Sequence, residues 1–418
     1  MTIRPKIFEV QPQAFPITKP IFESDDALIF GFNGYDNDII KIDVIFDSGR
    51  WQEPAQQIAS ACSALIKSGT ASLSSFELSE KIDFYGADIR ATSGFNTFTF
   101  SASCLHKFLE PTLELLHTLM YEIIFPQKEI DIYVENTVSK LKVSEEKTDW
   151  QADRLFRATL FGTQHPYGYS LSKDALMAIT QSQIQSFYNS LHQLKPTIII
   201  SGKYNEAQVN LIKHHVLNTN KKIEPAIVQH TLLMADTKVV KFSLPKSVQA
   251  TISMGKRTIA RTHEDFPAFV LLNTIFGGYF GSRLMSNIRE EKGLTYGIHS
   301  AWQSFKHDSI FVIQTDTDKK NVEQCLHEIK FEMARLQNEL IPAEEIQLAK
   351  NYLMGKLLHR IDGPFNQANT FKDYYVESTP MDKFLAIAEG IKAANDVTLR
   401  DLAVKYLDIE HFYTIIAG

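Results

Sequence analysis

The chain has 418 residues, 44% of them hydrophobic and 22% charged, with a net charge of −6 and a pI of about 6.1. That is ordinary globular composition, long enough for two domains of about 200 residues each. An acidic balance of this kind gives no electrostatic footprint for nucleic acid, which needs a basic surface.

The opening segment, Met1-Thr-Ile-Arg-Pro-Lys-Ile-Phe-Glu-Val10, lacks an apolar run long enough for a signal peptide or a membrane span. A cytoplasmic location without membrane attachment is the expectation. Lys41–Gly49 alternates as a strand, and a helix is expected from about Ala55 to Lys67. Asn96–Ser103 is a second alternating strand. Leu109, Leu113, Leu116, Met120 and Ile123 then mark one face of a helix, Pro126 opens another, and the Thr197-Ile-Ile-Ile run closes the half. The polar stretch Asn218–Pro225 has turn formers and no apolar period, as a linker should. Beyond it, Gln249–Met254 and Ser309–Thr315 read as strands. Val322, Cys325, Leu326, Ile329, Met333 and Leu336 form a helical stripe.

The two series of elements are in the same order, and three separated matches share one offset of 216 residues. Pro126-Gln-Lys-Glu-Ile matches Pro342-Ala-Glu-Glu-Ile, Lys140-Leu141 matches Lys356-Leu357, and Ile199-Ile-Ser-Gly202 matches Ile415-Ile-Ala-Gly418. A tandem duplication follows, with a first domain over 1–217, a linker region over 218–240 and a second domain over 241–418. The fold class expected is α+β, each domain a largely antiparallel sheet packed with helices.

The three cysteines, Cys62, Cys104 and Cys325, are far apart and show no metal or disulfide spacing, so they read as core residues. The adjacent pair His214-His215 points to two sides of a helix and reads as solvated. His263 precedes a helix and reads as a capping or surface residue.

Two segments carry chemistry. In the first, Ser60, Ser63 and Ala64 have i, i+3, i+4 spacing on one helix face, with Gly69-Thr70 just beyond. In the second, Gly277-Gly-Tyr-Phe-Gly-Ser-Arg-Leu-Met-Ser-Asn-Ile-Arg-Glu-Glu-Lys-Gly-Leu-Thr-Tyr296 reads as a glycine turn, an amphipathic helix and a strand. Ser282 is placed to cap that helix, Leu284, Met285 and Ile288 to bury one face, and Gly293 to end it. Arg289 near its C-terminus could serve the helix dipole alone. No Walker lysine and hydroxyl follow the glycines, which sets aside a phosphate loop.

Together these segments resemble the pitrilysin/insulinase superfamily of zinc metallopeptidases, in its two-domain bacterial and mitochondrial-processing-peptidase form. The resemblance extends over nearly the whole chain and includes His165-Pro-Tyr-Gly168. In that family the first helix carries His-x-x-Glu-His, so the resemblance puts Ser60, Ser63 and Ala64 where metal ligands and the catalytic glutamate belong. It puts Lys140 at the third ligand and Tyr133 at an accessory glutamate, with Glu135 nearby. Neutral serine is a poor zinc ligand, alanine is none, and an ammonium opposes a dication.

The resemblance also implies that Arg289 and Tyr296 match an arginine and a tyrosine, seven residues apart, that reach substrate from the second domain. Gly277, Gly278 and Gly281 resemble a substrate-contacting loop. The expectation is therefore a non-zinc-binding subunit of a heteromeric metallopeptidase. It would have no cofactor of its own, and it would supply Arg289 and Tyr296 in trans to a homologous His-x-x-Glu-His partner that carries zinc. The substrate expected is an unstructured peptide. The alternative is a non-catalytic structural, assembly or peptide-binding protein of the same descent.

Overall fold

The computed structural model describes residues 11–16, 19–34, 38–217, 223–224 and 227–418. The N-terminal segment Met1–Val10 and most of the linker stretch Asn218–Pro225 lie outside the described residues.

The first half contains β1 (Phe22–Glu23), β2 (Leu28–Asn33), β3 (Ile39–Phe46), α1 (Ile58–Ala64), α2 (Ser75–Phe84), β4 (Asp88–Ser93) and β5 (Phe98–Leu105). It continues through α3 (Leu109–Tyr121), α4 (Gln127–Glu145), α5 (Thr148–Phe161), α6 (Lys173–Met177), α7 (Gln181–Leu191), β6 (Thr197–Gly202) and α8 (Glu206–Val216). The second half contains β7 (Val239–Phe242), β8 (Gln249–Arg257), α9 (Phe266–Asn273), β9 (Thr295–Ser304), β10 (Ser309–Asp318) and α10 (Val322–Asn338). It ends with α11 (Ala343–Ile361), α12 (Gly363–Val376), α13 (Lys383–Ala393), α14 (Asp396–Tyr406) and β11 (Tyr413–Ala417). Local chemistry fixes several starts: Ser74 with Glu77, Thr180 with Gln183 and Asn205 with Gln208 form capping boxes at α2, α7 and α8.

The sheets run β1-β2-β6-β3-β5-β4 and β7-β11-β8-β10-β9. Apart from the short β1, the two orders correspond strand for strand. In each, one parallel pair (β2 with β6, β7 with β11) joins an otherwise antiparallel ladder. The α+β class with two tandem units is therefore the observed architecture. The 216-residue offset carries α4 onto α11, and β6 onto β11, within a residue. Strand β7 has no counterpart among the expected elements, because its four residues are too few to show a period.

The halves trade helices. Helix α5 of the first half lies on β8 and β11, and α12 of the second lies on β2 and β6. Phe156, Leu160 and Phe161 of α5 pack with Ile310, Val312, Tyr413 and Ile415, while Phe371 of α12 packs against Phe30, ring centres 4.4 Å apart. Each sheet is thus covered on both faces, which explains the continuous apolar run of β6, all of it buried. Buried aromatic and aliphatic side chains of this kind contribute roughly 1.5–3 kcal/mol each. The stripes expected on α3 and α10 are buried throughout, as are the three cysteines. Among the described residues no helix is long and apolar enough to cross a membrane.

Candidate functional site

Helix α1 is shorter than the expected span of 55–67. It starts only after Gln57, whose φ of 77° is left-handed. The Glu53 carboxylate caps it, accepting from the backbone N–H of Gln57 (3.2 Å) and Ala59 (2.9 Å) and from the Tyr169 hydroxyl. Burial holds the Glu53 carboxyl above its usual range. On this helix Ser60 and Ser63 are half-buried and Ala64 is exposed. The Ser63 hydroxyl donates to the Ser60 carbonyl at 2.9 Å, so helix backbone already uses it.

On α4, Lys140 and Glu135 are exposed. Tyr133 is half-buried, its phenol pushed up by burial. Neither a hydrogen bond nor an ion pair joins Lys140 to α1 among the described residues. Zinc does not fit the three ligand positions: Ser60 offers only a neutral hydroxyl, Ala64 a methyl and Lys140 a cation, while the Ser63 hydroxyl, at the glutamate position, is engaged. Among the described residues, no group of three or more His, Cys, Asp or Glu side chains could hold a metal.

The second segment is built differently. After α9 the chain widens into a π-helix, Thr274–Gly278, and after the loop 279–282 into a second, Met285–Glu291. Such widened turns are rare and cluster at functional sites. Leu284, Met285 and Ile288 are buried, as their spacing requires. Ser282 does not cap the helix. Its hydroxyl is buried without a hydrogen-bond partner, and its N–H donates to the Tyr279 carbonyl at 3.2 Å, which turns the loop. Gly293 ends the segment at φ 61°, its N–H bonded to the Arg289 carbonyl at 3.2 Å. Gly277 packs so tightly on β9 that a Cβ there would sit 2.6 Å from Ser300 Oγ.

Strand β9 then carries a bulge: Thr295 faces Thr317 and Ile298 faces Thr315, leaving Tyr296 and Gly297 opposite Asp316 alone. The bulge breaks the alternation of buried and exposed residues, and Tyr296 is 91% exposed. The Arg289 guanidinium carbon lies 5.3 Å from the centre of the Tyr296 ring and 4.9 Å from that of Phe280. Both rings line a cleft of about 920 Å³, together with Gly277, Gly278, His299 and Asp316. Gly281 lines the neighbouring groove. Burial lowers the pKa of His299, against the pull of Asp316.

A buried network that sequence pattern did not reveal holds the Arg289 helix. Asn287 Nδ2 donates to Glu328 Oε2 (3.1 Å) and Glu332 Oε1 (2.8 Å) on α10. Lys292 and Arg335 balance those carboxylates at 3.3 and 3.1 Å. The helix packs on β9 and α10, whereas α1 packs on α7 and β4. Arg289 and Tyr296 are thus brought together, on a different half from Ser60, Ser63 and Ala64.

Residues 35–174 match the family model described as insulinase (peptidase family M16), and residues 178–353 match that described as peptidase M16 inactive domain. The chain belongs to the M16 peptidase family. It is 20% identical over 297 residues to the uncharacterized zinc protease YmxG of Bacillus subtilis, covering 69% of this chain and 71% of that one. It is 24% identical over 302 residues to the probable inactive metalloprotease YmfF of the same organism, covering 67% and 69%. The crystal structure of a peptidase M16 inactive domain from Pseudomonas fluorescens superposes with a TM-score of 0.82, at 20% identity and 98% coverage of both chains.

Proposed function

We propose that this chain is the non-zinc-binding subunit of a heteromeric M16 metallopeptidase. A homologous subunit would carry the His-x-x-Glu-His helix and the zinc, while this chain supplies Arg289 and Tyr296 in trans. The observation that carries the reading is the contrast between two faces: α1 offers no usable metal donors, while Tyr296 stands 91% exposed beside Arg289 at the mouth of a cleft.

The chemistry assigned to this chain needs no metal of its own. The Tyr296 phenol donates a hydrogen bond to the oxygen of the carbonyl under attack, where negative charge grows. The guanidinium of Arg289 grips peptide oxygens and keeps the tyrosine in place. The substrate is an unstructured peptide; β4 and β9 end their sheets and offer edges that an extended segment can pair with. A purely structural or assembly role would leave a bulge-displayed tyrosine without a task.

Peptide hydrolysis by this chain combined with a His-x-x-Glu-His partner tests the proposal. Tyr296→Phe is expected to lower kcat about a hundredfold, the scale for losing one oxyanion donor. Undiminished cleavage in Tyr296→Phe and in Arg289→Ala would refute the role in trans.

A further inference from the structure

In the second half, Arg257, Arg261, Arg283, Arg335, Arg360 and Arg400 each have a carboxylate within 2.6–3.1 Å. The guanidinium of the remaining arginine there, Arg289, has no hydrogen bond or ion pair to any described residue, although Glu290 and Glu291 follow it directly. What holds it is aromatic: Phe280 on one side and Tyr296 on another, with no ring contact between the two. Such packing fixes a guanidinium while leaving its N–H edge free.

The loop that brings Phe280 there is itself fastened. Tyr279 packs at a tilt against Tyr352 of α11, ring centres 5.1 Å apart, and Gly281 passes so close to Tyr279 that a Cβ would lie 2.9 Å from its ring. Phe280 remains 64% exposed, a cost to a monomer unless its place over Arg289 matters.

We infer that the Phe280–Arg289–Tyr296 group is a preformed receptor for a peptide carboxylate, with Phe280 as the residue that positions the guanidinium. A carboxylate is the peptide group that meets a guanidinium edge through two parallel hydrogen bonds. The cleft gives the ligand a direction. Asp316 and Asp318 line it and repel an anion, so the carboxylate lies at the Arg289 rim and the rest of the peptide runs along β9 and β10. The carboxylate can be the peptide C-terminus or an Asp or Glu side chain. The inference rests on the reading that Arg289 and Tyr296 contact substrate.

The test is fluorescence polarisation with the full chain and three short labelled peptides of one neutral sequence: the free C-terminal acid, its amide, and the amide with one central Asp. The free acid, the Asp peptide or both are expected to bind about tenfold or more tighter than the neutral amide; which of them does so identifies the source of the carboxylate. Arg289→Gln and Phe280→Ala should abolish the preference, and Phe280→Tyr should keep it. Equal affinities, absence of binding by all three, or a preference that survives Arg289→Gln would overturn the inference. Should the preference be missing while Tyr296→Phe still slows the two-chain peptidase, the carboxylate site falls and the role in trans stands. A carboxylate preference with unaltered two-chain cleavage in Tyr296→Phe would do the reverse.

Discussion

Removing the Asn287 side chain probes the link between the buried network and the Arg289 helix. Asn287→Ala deletes two hydrogen bonds to carboxylates, at 3.1 and 2.8 Å, each worth about 1.5–3 kcal/mol. Two terms offset that loss. Lys292 and Arg335 still neutralise Glu328 and Glu332, and the buried Asn287 Oδ1, which has no partner, no longer costs its desolvation of about 1–3 kcal/mol. The expected net loss is about 2 kcal/mol, read as a lower urea midpoint at unchanged slope. Asn287→Asp is the sharper variant, because it sets a third carboxylate beside two buried ones. Its folded-state pKa must rise above the unfolded value of about 3.9. The destabilisation is therefore fully developed at neutral pH and is relieved as pH falls through the raised folded value towards the unfolded one. An Asn287→Ala midpoint equal to the parent's, with an Asn287→Asp penalty that ignores pH, would refute the network's role.

Other outcomes follow from single residues. Ser378 is exposed at φ 53°, so Ser378→Gly should stabilise by about 0.5–1 kcal/mol in urea melts. Gly293 has φ 61° and open space around its Cα; Gly293→Ala should cost about 1–2 kcal/mol, with no steric clash to add to it. His165 is buried against Phe161 at 5.4 Å, and burial lowers its pKa from 6.5 to about 4. The unfolded chain takes up that proton first, so stability present above pH 6.5 is lost as pH falls towards 4. Melting curves of His165→Phe should show a shallower fall over that window. Burial likewise lowers Lys256 from 10.5 to about 8; stability should rise with pH between those values, and Lys256→Met should remove the rise.

The duplication was legible because helices and strands at the same offset must satisfy the same packing, as Pro126 and Pro342 at the caps of α4 and α11 illustrate. The exchange of α5 and α12 between halves was not legible, since apolar period reports that a face is buried but not by which partner. Around the site, Leu284, Met285, Ile288 and Gly293 declared themselves by spacing. Asn287 and Phe280 did not: a polar residue among helix positions reads as solvated until its buried carboxylate partners are known, and Phe280 acts through a through-space stack. Tyr296 needed the bulge, a local departure from period two that alternation rules pass over. The expected Ser282 cap is not formed: residue type and position allow it, but the hydroxyl is buried without a hydrogen-bond partner.

In the function proposed above, this chain completes an active site whose metal lies in another subunit. Titrating it into a fixed amount of a zinc-loaded His-x-x-Glu-His homologue, with peptide cleavage as readout, tests that directly. Cleavage should be negligible for either chain alone and should rise to saturation at equimolar ratio. A homologue that cleaves equally well without this chain, or turnover by this chain alone, would contradict it.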